Sequence, residues 1–96
     1  MSNDMIRNVE AEQSVLGSII QEGDLIKDCQ LKVKQFSLPT HQVIFRAMRE
    51  LEDAEVPIDL VALIGKFDES FMHQIGGIEF FVNLTEVVTT TKNFSY

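Results

Sequence analysis

The sequence predicts an all-α fold: a compact bundle of about six short helices, with the start of a seventh, the beginning of a helical hairpin, at the C-terminus. Three observations point there. Apolar residues recur at i, i+3, i+4 and i+7 along most of the chain. Residues that cap helices stand ahead of these stripes at Asn8, Asp24 and Asp59. The β-branched run Val87-Val88-Thr89-Thr90-Thr91 has no partner strand to pair with.

Residues 1–7 read as a polar tail and residues 8–96 as one domain. Asn8 caps the first helix, with Glu10 and Glu12 favouring its positive end. Val15, Leu16, Ile19 and Ile20 form its core stripe. Gly17 interrupts that stripe at a cost of about 1 kcal/mol relative to alanine, which a closely approaching helix would justify. Gly23 fits the end of this helix, and Asp24 caps a second one carrying Leu25, Ile26, Cys29 and Val33. Ser37 or Thr40 caps the third, with Pro39 in its first turn. Its stripe is Ile44, Ala47, Met48 and Leu51, which leaves Arg46, Arg49 and Glu50 facing water. Pro57 closes this region. Asp59 caps a fourth helix through Leu60, Leu63, Ile64 and Phe67, and Ser70 a short fifth helix ending at Ile75. Gly76-Gly77 break the chain, and a sixth helix carries Ile78, Phe81, Leu84 and Val88. The Val87–Thr91 run is then a connection. Thr90 or Thr91 caps a seventh helix that begins with Asn93 to Tyr96, which suggests a longer parent chain.

Fifteen acidic residues against eight basic ones give a net charge of −7. Such a surface repels a phosphate backbone, since nucleic-acid affinity comes largely from Lys and Arg. Lys27, Lys32 and Lys34 cluster, but Asp24 and Asp28 dilute them. A basic protein partner suits this charge better than DNA. The lone Cys29 cannot form an internal disulfide, and the chain has no apolar run of membrane-spanning length and no secretory signal. A reducing cytoplasmic setting without membrane contact is the expectation.

No catalytic constellation emerges. A phosphate-cradling loop ending at Gly65-Lys66 would need Gly at position 60 and Ser or Thr at position 67, where the chain has Leu60 and Phe67. Gly76-Gly77 lacks the remaining glycine of a dinucleotide fingerprint. His41 and His73 fall on different helices, so the expectation is that His41 packs between helices or bonds to nearby backbone. Glu10 and Glu12, Glu50 to Glu55, and Asp68-Glu69 read as solvated helix termini. Cys29 reads as a small buried hydrophobe. Most phenylalanines belong to the core, although Phe80 and Phe81 are adjacent and one of them must sit at an edge.

Four segments, in order, resemble one family. Asn8-Val9-Glu10-Ala11-Glu12-Gln13-Ser14-Val15-Leu16-Gly17 resembles the opening helix of the N-terminal domain of bacterial DnaB-type replicative DNA helicases. His41-Gln42-Val43-Ile44-Phe45 resembles its central helix, and Val56-Pro57-Ile58-Asp59-Leu60-Val61 the turn into the next. Ile75-Gly76-Gly77 and Thr89 to Tyr96 resemble its later part. The departures fall at Leu31 to Lys34 and at Met72-His73.

The resemblance implies a non-catalytic domain with no cofactor of its own, in a parent whose separate motor uses ATP and Mg and contacts the DNA. It implies domains that pair through hairpins into a collar on a helicase ring, and that dock primase and also a helicase loader. The partner-binding residues expected on this reading are Lys66, Glu69 and Glu79, with Phe94 and Tyr96 as exposed aromatics. An alternative is a free-standing helical adaptor of the same fold. A Walker A motif encoded downstream separates the two.

Overall fold

The computed structural model describes the backbone of residues 9–94 and the side chains of residues 9–88. Its described residues form five α-helices and two short 3-10 helices, with no strand. The α-helices are α1 (Val9–Gln21), α2 (Pro39–Asp53), α3 (Leu60–Ile64), α4 (Glu69–Ile75) and α5 (Ile78–Phe94). The 3-10 helices, Gly23–Asp28 and Val33–Gln35, lie between α1 and α2. The predicted cap at Asn8 lies outside the described residues.

α1 packs most extensively on α5. Leu16, Ile19 and Ile20 are buried on one helix, and Phe81, Leu84 and Val88 on the other. Gly17 sits at their closest approach. A Cβ there would lie 2.2 Å from the Leu84 carbonyl oxygen and 2.7 Å from Val88 Cγ2. A backbone oxygen cannot swing aside as a flexible side chain can, so this position excludes every residue but glycine.

The centre of the bundle is α2, whose Ile44, Phe45, Ala47, Met48 and Leu51 are buried as the spacing predicts. Phe45 packs on Phe36 at 4.8 Å between ring centroids. Phe67 bridges Phe71 at 4.7 Å and Phe81 at 6.0 Å, tying the turn after α3 to α4 and α5. Phe81 is fully buried, and its neighbour Phe80 takes the edge.

Several local expectations are corrected. The predicted second helix is instead the 3-10 helix Gly23–Asp28 followed by non-helical chain, with Leu25 exposed and Ile26 buried. Arg49, expected to face water, binds this stretch: its guanidinium donates to the carbonyls of Ile26 (3.2 Å), Cys29 (2.7 Å) and Leu31 (2.9 Å). Those acceptors are thereby held by Arg49 from outside the segment. Asp24 lies in the first turn and does not cap it; Gly23 is needed because a Cβ would lie 2.4 Å from the Ile58 carbonyl oxygen.

Neither Ser37 nor Thr40 caps α2. Leu38 holds that position without a side-chain bond, with Pro39 at the start as predicted. Asp68, not Ser70, caps α4, accepting from the Phe71 N–H at 2.8 Å. Asp59 caps α3 as predicted, accepting from the Ala62 N–H at 2.8 Å. Finally, α5 runs unbroken through Val87–Thr91, so no cap or seventh helix begins there. Without a second strand, the β-branched run follows the helix that precedes it.

Two helix ends use the left-handed region differently. Gly76 closes α4 at φ +98°, where glycine carries no steric penalty. After α2, Glu55 adopts φ +60° while the Val56 N–H reaches back to the Leu51 carbonyl at 2.9 Å. A residue with a Cβ pays roughly 1–2 kcal/mol in this conformation.

These contacts fix the direction of two substitutions. Gly17→Ala gains about 1 kcal/mol of helix propensity but overpacks an unyielding contact at about 1–3 kcal/mol. Urea unfolding is expected to show a net loss, and a stabilised variant would contradict the close approach. Glu55→Gly is expected to raise stability by up to about 1 kcal/mol, once the greater chain freedom of glycine is allowed for. An unchanged or lower Tm would contradict the strain.

Candidate functional site

Two regions of the fold concentrate polar chemistry, one inside the bundle and one on its surface. The interior one joins three separate stretches of chain. Glu12, expected as a solvated helix terminus, has no solvent exposure, and His41 is 2 % exposed. Glu12 Oε2 accepts from the Ser37 main-chain N–H at 2.8 Å and from the Ser37 hydroxyl at 2.5 Å. Glu12 Oε1 lies 2.7 Å from His41 Nδ1. A carboxylate can only accept, so Nδ1 carries the hydrogen in this pair. His41 is thus packed between α1 and α2, one of the two arrangements expected, and bonds a side chain there instead of backbone.

Burial pushes the Glu12 carboxyl up. The Ser37 hydroxyl, the His41 hydrogen bond, the Ser37 N–H and the charge on His41 outweigh it, holding the group below the usual carboxylate range. Three donors therefore keep a buried carboxylate ionised.

Glutamate, serine and histidine together resemble a nucleophilic triad only by composition. Ser37 donates to Glu12 and not to His41, so the histidine is not placed as a base for its hydroxyl. The cluster braces α1 against the start of α2. Among the described residues, no group of three His, Cys, Asp or Glu side chains is arranged to hold a metal. No helix among them is long and apolar enough to cross a membrane.

Arg49 is the second interior bracket. Besides the three carbonyls it binds Glu52 Oε1 at 3.0 Å, and it lies 4.9 Å from the centre of the Phe45 ring. Cys29, whose carbonyl it holds, is half-buried. Neither bracket was legible in the sequence. The one available signal was that Glu12 and His41 both lie within the segments quoted for the family resemblance.

The surface region runs over α3, α4 and α5. Lys66, just after α3, reaches across to α2, with its Nζ 2.8 Å from Glu50 Oε1. That hydrogen bond and the lysine charge hold the exposed Glu50 carboxyl below its usual range, with Arg46 adding to the effect. Glu69 and Glu79 stand exposed in the first turns of α4 and α5. Lys66 forms its ion pair with Glu50, so among the described residues it is not joined to Glu69 or Glu79 by one. Exposed aliphatic groups share these elements: Val61 is 81 % exposed, Ile78 54 % and Val82 38 %. Ile78 and Val82 stand one turn apart on α5. The side chain of Phe94 and all of Tyr96 lie outside the described residues.

The DnaB-like helicase N terminal domain matches residues 4–96. The replicative DNA helicase DnaC of Bacillus subtilis (strain 168) is 32% identical over 93 residues, which covers 94% of this chain and 20% of that protein. The replicative DNA helicase DnaB of Geobacillus stearothermophilus is 31% identical, with the same coverage of each. DnaB of Mycobacterium leprae (strain TN) is also 31% identical, over 94% of this chain and 15% of its own length. The chain thus spans about one fifth or less of the length of these relatives.

The interior cluster predicts a pH dependence. A carboxyl held low in the folded state contributes stability above its unfolded pKa and loses it as pH falls through the folded value. At neutral pH, Glu12→Gln is expected to be less stable than the parent by about 1–3 kcal/mol. In urea titrations the gap should narrow as pH drops below the usual glutamate value of 4.5. A gap constant from pH 7 into the acid range would contradict an ionised Glu12.

Proposed function

The chain belongs to the family of DnaB-like helicase N-terminal domains, and on that premise we propose that it is a non-catalytic assembly and docking domain. The observation that carries this reading is the family match along residues 4–96. The motor would lie elsewhere in an ATP- and Mg-dependent parent helicase, which would contact the DNA. This domain would brace the helicase ring and dock primase, with a helicase loader as a further partner, in the cytoplasm of a bacterial cell or of a phage-infected host.

The mechanism is shape, charge and valency. Domains repeated around a ring present repeated surfaces, which raises the effective concentration for a partner with several contacts. A net charge of −7 steers basic partners and discourages non-specific attachment to DNA. The surface of α3 to α5, with Lys66, Glu69 and Glu79 around Val61, Ile78 and Val82, supports docking because it mixes exposed aliphatic and charged groups. Phe94 and Tyr96 remain proposed contributors.

Deleting residues 1–96 from the parent helicase separates these roles. DNA-stimulated ATP hydrolysis is expected to survive at least in part, while stimulation of primase disappears. A normal primase response in the deleted protein would overturn docking and leave only the bracing role.

A further inference from the structure

A second surface is lined by no residue of α3 to α5. The first 3-10 helix, the C-terminal end of α2 and the extended segment of residues 56–58 enclose an open cleft of about 680 Å³. That volume falls within the roughly 300–1,000 Å³ of small-ligand pockets. It suits a few residues of a peptide and is too small for a folded partner.

Its apolar groups are Val56, 40 % exposed, and the exposed Pro57, set over the buried Ile26 and Ile58. It is also firmly set. Gly23 brings the 3-10 helix onto the Ile58 carbonyl, and Arg49 pins the carbonyls at the end of that helix. The rim is acidic: Glu22, Asp24, Glu52 and Glu55 face a single cation, Lys27. Lys27 pairs loosely with Asp24 at 3.8 Å, and Glu52 is held by Arg49. Glu22 and Glu55 form no ion pair among the described residues.

We infer that this cleft docks a short basic segment of a partner protein, with an aliphatic side chain seated on Val56 and Pro57 and flanking lysines or arginines on Glu22 and Glu55. Charge complementarity selects this occupant. Nucleic acid would meet the acidic rim unfavourably, and a wholly apolar segment would leave Glu22 and Glu55 unpaired. The surface is distinct from α3 to α5, so it does not depend on that docking reading.

The test is a titration of the full chain with a fluorescein-labelled Lys-Leu-Lys-Lys-Leu peptide, read by anisotropy and by amide NMR shifts. A Glu-Leu-Glu-Glu-Leu peptide serves as the control. The basic peptide is expected to bind, to weaken with added salt, and to shift the amides of Gly23, Ile26, Val56 and Ile58. The double variant Glu22→Lys, Glu55→Lys alters two exposed side chains and should keep its fold, as judged by an unchanged Tm. It is expected to bind about tenfold more weakly, since each attraction becomes a repulsion at an exposed site. No binding at millimolar peptide, equal binding of the acidic control, shifts confined to other surfaces, or an unaffected double variant would each overturn the proposal.

Discussion

A carboxylate sealed from water is the constraint around which this domain is arranged. Burying an unpaired charge is prohibitive, so Glu12 can sit inside only while Ser37 and His41 supply its donors. That requirement positions three stretches at once. It sets how deeply α1 enters the bundle, fixes the turn before α2, and orients the first turn of α2 itself. Arg49 repeats the device about two turns further along α2, where one guanidinium binds the carbonyls of Ile26, Cys29 and Leu31. With both brackets in place, α2 becomes the spine against which the 3-10 segment and α1 are registered. α5 then closes on α1 at the only residue small enough to admit it.

The parts of this architecture that were legible in the sequence are those set by short-range periodicity. The stripes of α1 and α2, the glycine gap at Gly17, the Asp59 cap and the Gly76-Gly77 break depend on neighbours within a few residues, where pattern and stereochemistry decide. The errors have a different physical origin. Glu12 and Arg49 look like ordinary surface charges because their partners lie 25 to 29 and 18 to 23 residues away. Leu25 to Val33 shows a helical stripe, yet tertiary bonds to its carbonyls overrule it. Ser70 and Asp68 are both good caps, and local context did not choose between them.

The candidate surfaces divide in the same way. Lys66, Glu69 and Glu79 were legible as exposed because they fall off the core stripes, but the pairing of Lys66 with Glu50 was not. The cleft beside Ile58 was invisible in the sequence. Its walls come from residues 22–27 and 52–58, and only the Gly23 contact and the end of α2 bring them together. The cleft is therefore a consequence of how the end of α2 is placed. A domain whose buried polar groups brace its own helices is suited to present set faces to other proteins, as the proposed docking role requires.

The measurement that reaches the centre of this account is a double-mutant cycle between Glu12 and His41, using Glu12→Gln, His41→Gln and the pair, each unfolded in urea at pH 7. A buried charge-assisted contact predicts a coupling of about 1.5 kcal/mol or more, with the double variant less damaged than the two single losses combined. Additivity within about 0.3 kcal/mol would show that the two side chains are merely neighbours. The fold would then rest on its apolar stripes and the Arg49 bracket.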